Sequence, residues 1–237
     1  MKKPFFFLAF QILLIFSSAL LAQVPESTRS KNAINRVKPT LEEELKAKRL
    51  KYGSPIFIRI FKQSKELEVW IKKGDSFEWF RNYRICTYGF EGLGPKEKQG
   101  DGKAPEGFYT VTSKGLNPVS NFHLSFNLGY PNEYDKVHKR TGSALMVHGR
   151  CVSIGCYAMS DAGIEEIYAL ADGAFRSGQQ SFKVHIFPFQ MSDENMKKYR
   201  ESGFIEFWKN LKEGYDYFEK KHIPPYIIVK NKRYVIN

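Results

Sequence analysis

The middle of the chain alternates between apolar and polar positions. Ile56 to Phe61 is a run of β-branched and aromatic residues, and from Glu66 to Ile71 the residues Leu67, Val69 and Ile71 fall on one side. A third run of this kind extends from Phe77 to Cys86. Strand side chains point to opposite faces in turn, so a period of two predicts strands. Gln63-Ser64-Lys65 and Lys73-Gly74-Asp75 separate the runs, and such short turns predict an antiparallel meander. Phe108 to Thr112, Leu124 to Leu128, Leu145 to Val147 and Phe182 to Phe187 read as further strands. Gly89 through Gly107, rich in Gly and Pro, reads as a loop.

The period lengthens in three places. Ile164, Ile167, Tyr168, Ala171 and Phe175 have helical spacing, with Asp161 as the expected cap and Gly178 as the stop. Ser192 or Asp193 opens a second helical stretch to about Leu211, with a break expected near Gly203. Thr40-Leu41-Glu42-Glu43 has the pattern of a capping box, which predicts a short helix over 40–52, ended by Gly53-Ser54-Pro55. Residues 23–39 are polar, contain Pro25 and Pro39, and read as a flexible linker. Ile227 to Val229 and Tyr234 to Ile236 flank Asn231-Lys232 as a closing hairpin.

Residues 1–22 follow another pattern. Lys2 and Lys3 precede a nearly continuous apolar run from Phe5 to Phe16, and small residues lead to Ala22. This is the layout of a secretory signal peptide cut after Ala22; an uncleaved membrane anchor is the alternative. The segment has no Cys, which argues against a lipoprotein anchor. The organisation expected is a signal at 1–22, a linker and short helix at 23–52, a catalytic domain at 53–190, and a helical extension with hairpin at 191–237.

Composition changes this picture in two respects. The formal net charge is +12, and loss of Lys2 and Lys3 leaves +12 − 2 = +10. A basic exported protein meets anionic wall polymer, lipid headgroups and lipopolysaccharide; the chain has no nucleic-acid motif, so nucleic acid is excluded as a partner. The three cysteines, Cys86, Cys151 and Cys156, make an odd number in an oxidising compartment. One thiol therefore stays free unless it pairs between chains, and catalysis is one reason to keep it.

The stretch from Met146 to Met159 concentrates the chemistry. His148 ends an apolar strand and Cys156 follows eight residues later, a gap short enough to fold back. A thiol of ordinary value about 8.5 is a weak nucleophile, and an adjacent imidazole or a set of N–H groups raises the thiolate fraction. Gly155 lets backbone approach a substrate carbonyl, and the N–H groups of Ile154, Gly155 and Cys156 are candidates for an oxyanion hole. Cys151 reads as a packed thiol or as the partner of Cys86, with connectivity open. Zinc held by His148, Cys151 and Cys156 matches no standard spacing, so no metal is expected. His123, His138, His185 and His222 read as surface or satisfied core residues.

His148-Gly149 followed by Ser153-Ile154-Gly155-Cys156 resembles the signature of the L,D-transpeptidase (YkuD-type) catalytic domain. Ala104-Pro105-Glu106-Gly107 before a strand is similar to the same family. The short His-to-Cys gap, Leu93-Gly94-Pro95-Lys96, Gly129-Tyr130-Pro131-Asn132, Arg140-Thr141-Gly142 and Phe187-Pro188-Phe189 resemble its YafK-like branch. The likeness runs from about Gly53 to the C-terminus. It implies an α+β, β-rich catalytic fold of sandwich-like mixed sheets with C-terminal helices. It implies Cys156 as nucleophile, His148 as general base and Ser153 as the hydroxyl that shapes the loop. No cofactor is implied.

The implied substrates are peptidoglycan stem peptides containing meso-diaminopimelate. The branch includes enzymes that hydrolyse the amide joining an outer-membrane lipoprotein to the wall, which makes such a lipoprotein a further expected partner. Ile154 stands where the family carries a basic residue, and Tyr157-Ala158 stands where it carries an apolar-Arg pair. A cation for a substrate carboxylate is thus missing from its usual place; Arg140 and Arg150 are candidates to supply it, and Tyr130 to line the site. The departure puts transpeptidation in question more than thioester chemistry, and the branch resemblance favours hydrolysis in the periplasm over crosslink formation. Transpeptidation and non-catalytic wall binding are the alternatives, and a thiol oxidoreductase lacks a Cys-x-x-Cys.

Overall fold

A computed structural model describes residues 23–90 and 92–237; the expected signal peptide lies outside the described residues. The meander forms as the alternation predicts, with β1 (Ile56–Phe61), β2 (Glu66–Lys73) and β3 (Ser76–Thr87) antiparallel in sequence. There follow β4 (Gly107–Thr112), β5 (Leu116–Asn117), β6 (Ser125–Asn127), β7 (Met146–His148), β8 (Tyr157–Met159) and β9 (Ser181–Phe187). The strands join in the order β4-β9-β1-β2-β3-β8-β7-β6-β5. The pairs β1–β9 and β7–β8 are parallel and the rest antiparallel, so the sheet is mixed.

This sheet curls on itself. Phe126 of β6 and Phe182 of β9, near opposite ends of the strand order, bring their rings to 5.6 Å. The two halves therefore face each other like a sandwich, joined by the twelve-residue β3. Between them lies a continuous core that includes Ile58, Leu67, Val69, Val147, Tyr157, Met159 and Val184. The fold class is α+β, as expected.

One helix is longer than its sequence suggests. Residues 28–39 belong to α1 (Thr28–Ala47), where a flexible linker was expected, and the helix ends five residues before the predicted limit of 52. Ser27 closes a capping box with Ser30, a device worth about 1 kcal/mol. Ala33, Val37, Leu41 and Leu45 repeat every fourth residue and pack into the core. Arg36 pairs with Glu165 at 2.6 Å, and Arg81 joins Glu44 of α1 to Glu166. These contacts outweigh Pro39, which sits inside the helix and withdraws one backbone donor.

Helix α2 (Glu133–Val137) was not foreseen. Helix α3 (Asp161–Arg176) starts from Ser160, whose hydroxyl accepts the Gly163 N–H, so Ser160 rather than Asp161 is the cap. Asp161 is freed for a different task, described below. The C-terminal stretch breaks as expected into α4 (Asp193–Lys198) and α5 (Ile205–Lys221), the latter running beyond Leu211. The hairpin of β10 (Ile227–Lys230) and β11 (Arg233–Ile236) turns at Asn231 and Lys232, both with positive φ. Helix α5 and this hairpin share a second apolar cluster with Phe61, Phe108 and Phe187.

Candidate active site

Strands β7 and β8 lie side by side and parallel, with Val147 opposite Tyr157 and His148 opposite Ala158. Register partners point the same way. Val147 and Tyr157 enter the core, so His148 and Ala158 face away from it. Cys156 lies one residue before β8, outside the paired register, and its side chain packs partly against the core. Relative to His148 it is one strand over and two residues back, about 8 Å between Cα atoms from strand spacings alone. That separation is within the combined reach of a thiol and an imidazole.

The connection between these parallel strands is only residues 149–156, where a dozen or more is usual. Several devices make so tight a return practicable. Gly149 donates its N–H toward the Phe122 and Leu124 carbonyls. A Cβ there would stand 2.6 Å from Asp161 Oδ1 and 3.0 Å from the Phe122 oxygen, so only glycine fits after His148. The Arg150 N–H donates to Asp161 Oδ1 at 2.8 Å, and Arg150 and Cys151 both take positive φ. A disulfide joins Cys151 to Cys86 at the end of β3. This resolves the open question about these two residues, leaves Cys156 as the free cysteine, and removes Cys151 as a metal ligand.

Ser153 then shapes the loop. Its hydroxyl donates to the Cys156 carbonyl at 2.7 Å and accepts the Gly155 N–H at 3.0 Å. Gly155 is thereby committed inside the loop, which corrects its place in the expected oxyanion hole. The N–H groups of Ile154 and Cys156 are the remaining candidates. Ile154 itself is 87% exposed, at the rim of the loop.

The His148 ring is buried and lies 4.6 Å from the Phe122 ring. Its Nδ1 stands 2.7 Å from the Gly149 carbonyl oxygen, which can only accept. Nδ1 therefore carries the proton and Nε2 presents the lone pair. Burial pushes the imidazole below its ordinary value, partly opposed by the Gly149 carbonyl. The Cys156 sulfur accepts the Met146 N–H at 3.4 Å and donates toward the Ala144 oxygen at 3.7 Å. Burial pushes the thiol up, against the Met146 N–H and the charge of Lys96. The sequence predicts a lowered thiol; burial instead pushes the thiol up and the imidazole down, so both groups favour their neutral forms.

The other expected substrate residues separate. Arg140 is tied to Asp135 at 2.9 Å, with Tyr134 and Phe207 rings against its guanidinium. Tyr130 is buried, and its hydroxyl donates toward the Lys96 and Thr141 carbonyls. Both brace neighbouring loops instead of lining the thiol. Arg150 is exposed, within the loop that joins β7 to β8.

Two features escaped the sequence reading as site elements. Lys96 belongs to a quoted family motif, yet the burial of its ammonium against Asp101 has no local signal. Lys62 and Glu106 form a fully buried ion pair at 3.0 Å. Lys62 also donates to the Gly94 and Ala104 carbonyls, while Glu106 accepts from the Gly94 N–H and the Trp208 indole. Together they pin both ends of the 94–106 loop. That loop meets the catalytic bend where a Cβ on Gly155 would lie 3.4 Å from the Lys103 oxygen.

Residues 55–216 match the family described as the L,D-transpeptidase catalytic domain, YkuD. The chain belongs to this family. It is 49% identical over 185 residues to the Escherichia coli (strain K12) protein YafK, which is named for the L,D-transpeptidases. That alignment covers 78% of this chain and 75% of the relative, and YafK of Escherichia coli O157:H7 aligns identically. The helical cell shape determining protein Pgp2 of Campylobacter jejuni, in its K307A mutant, superposes with a TM-score of 0.46 and 19% identity, over 80% of this chain and 64% of that one. Family membership makes this a peptidoglycan-directed enzyme of the L,D-transpeptidase class.

Proposed function

We propose that the protein is a periplasmic cysteine acyl-transfer enzyme that hydrolyses an amide at meso-diaminopimelate in peptidoglycan, releasing a wall-linked lipoprotein. The observation that supports the chemistry is the pairing of β7 with β8, which brings the segment with the free thiol beside the strand end that carries a buried imidazole whose Nδ1 is taken by the Gly149 carbonyl.

The mechanism follows from the resting protonation states. A bound substrate turns the thiol away from the Ala144 oxygen and toward His148. Nε2 takes the proton, and the sulfur attacks the amide carbon. The Ile154 and Cys156 N–H groups stabilise the oxyanion. The His148 imidazolium then gives its proton to the departing amine, leaving a thioester on Cys156. Water, activated by the same Nε2, resolves the thioester. Its preference over an amine acceptor rests on the branch resemblance and on Tyr157-Ala158 in place of the family's apolar-Arg pair.

The test is to incubate the protein lacking residues 1–22 with lipoprotein-linked peptidoglycan and, separately, with muropeptides. Released lipoprotein that depends on Cys156 supports the proposal. Crosslinked muropeptide dimers without released lipoprotein would reject hydrolysis in favour of transpeptidation. Wall binding that survives Cys156→Ala, with no turnover by the parent, would reject an enzyme altogether.

A further inference from the structure

We propose that Lys96, held in place by Asp101, is the electrostatic positioning residue of the site: its ammonium stabilises the Cys156 thiolate without touching the sulfur. The inference rests on the reading of Cys156 as nucleophile and adds the charge that the signature loop lacks.

The geometry runs through a single short segment. The Lys96 stem lies against Gly142, where a Cβ would be 2.9 Å from Lys96 Cε. Two residues on, the Ala144 carbonyl faces the Cys156 sulfur. The Lys96 side chain is 6% exposed, and its ammonium is fixed by Asp101 at 2.6 Å and the Lys98 carbonyl at 2.8 Å. Asp101 is itself anchored by the N–H groups of Glu97, Lys98 and Lys103. These bonds and the ammonium hold its carboxyl at about 2, against the opposing effect of burial, so it stays ionised wherever the enzyme works. A buried charge fixed in this way is poorly screened and acts across several ångströms.

Each element packed on the sulfur carries its own ionisable groups. Strand β7 brings His148, neutral at rest. The 142–145 segment brings none. The catalytic bend brings Arg150, exposed, whose main chain is held by Asp161. The 92–106 loop brings Lys96, Glu97, Lys98, Asp101, Lys103 and Glu106, of which Glu97 and Lys98 are exposed. Lys103 points to the Phe204 ring at 5.1 Å, and Glu106 is consumed by Lys62. Lys96 is left as the cation whose charge acts on Cys156. When the thiol proton moves to His148 Nε2, the new negative charge on sulfur gains from Lys96, and the proton balance closes within the pair.

A merely structural Lys96 would brace its loop and leave the thiol's titration alone. Alkylation by iodoacetamide separates the two, because Cys156 is the one cysteine outside the disulfide. The rate is measured against pH under non-reducing conditions, with melting temperature as a check on folding. Lys96→Met should raise the midpoint by about one pH unit and slow alkylation at pH 7 roughly tenfold. Lys96→Arg should restore the parent profile within about half a unit. Asp101→Asn keeps the side-chain shape but removes the counter-charge, so it should move the midpoint down. Midpoints that stay put, or that rise in both Lys96→Met and Asp101→Asn, would overturn the inference. If Lys96→Met fails to fold, Asp101→Asn decides alone: a fall supports, a rise or no change refutes. The assay uses no wall substrate, so a failure of the proposed reaction would register separately.

Discussion

His148 and His185 are both buried, at 3% and 1% exposure, and burial pushes both below the ordinary histidine value. Their surroundings differ in everything else. His185 sits in β9 with the rings of Phe57 and Phe108 edge-on at 4.8 and 4.7 Å, and neither nitrogen has a hydrogen-bond partner among the described residues. His148 has one nitrogen fixed by the Gly149 carbonyl and a thiol two residues away on the neighbouring strand. A depressed value alone therefore does not make a base. A base needs in addition a tautomer imposed by a partner, as the Gly149 carbonyl imposes one on His148.

The contrast is broken most decisively by exchanging the two roles in experiment. Cys156→Ala and His148→Asn should each reduce release of wall-linked product by at least about 10³-fold. His185→Phe should leave turnover within about twofold of the parent. A His148→Asn enzyme keeping more than a tenth of the activity would remove His148 as base. A His185→Phe enzyme as dead as His148→Asn would show that the comparison had been drawn at the wrong place.

The next effect concerns what holds the two sites. His185 is held by packing, whereas the bend after His148 is held covalently by Cys86–Cys151, which closes a loop of sequence separation 65. On the chain-entropy model such a bridge is worth about 4 kcal/mol. The double variant Cys86→Ser, Cys151→Ser should lower the melting temperature by roughly 10 °C, and activity should fall further than stability explains. The comparison is a thermal melt beside a turnover assay below the lower melting point. An unchanged melt would mean that the bend keeps its shape without the bridge.

How much of this was legible follows from how local each signal is. The meander, α3 and the C-terminal hairpin were readable because each is written in a few consecutive residues, and the motif that nominates His148 and Cys156 is equally local. The strand order was not, since β1 pairs with β9 across more than a hundred residues. Residues 28–39 carry a polar composition and a proline, and only the fourfold spacing of Ala33, Val37, Leu41 and Leu45 against α3 makes them helical. Arg140 looked like a substrate cation because its counter-ion Asp135 belongs to α2, an element without a visible pattern. Lys96 had the converse fate: its neighbour Gly142 is remote in sequence, so nothing nearby marked it.

The smallest effect tests the His185 side of the comparison through pH. Its value is well below normal in the folded chain and returns to about 6.5 on unfolding. As pH falls through 6.5 the unfolded chain takes up a proton that the folded chain refuses. The stability contributed by keeping His185 neutral is therefore complete above 6.5 and is lost on the acid side, by up to about 1.4 kcal/mol per pH unit. His148 acts in the same direction, more weakly, because the Gly149 carbonyl supports its charged form. The carboxylates held low by cations, Asp101 among them, lose their contribution only at more acid pH, whereas burial raises Asp135 and Asp172, whose proton uptake in the folded chain opposes the histidine effect, so the His185 contribution is read as the difference between His185→Phe and the parent. Denaturant unfolding from about pH 6.5 to about 4.5 should show a shallower acid slope for His185→Phe, by roughly one proton. At pH 7.5 the same variant should be as stable as the parent or slightly more so, since two unpartnered nitrogens leave the interior. Identical acid slopes would mean that His185 already takes up its proton in the folded chain, and that its aromatic cage does not exclude charge.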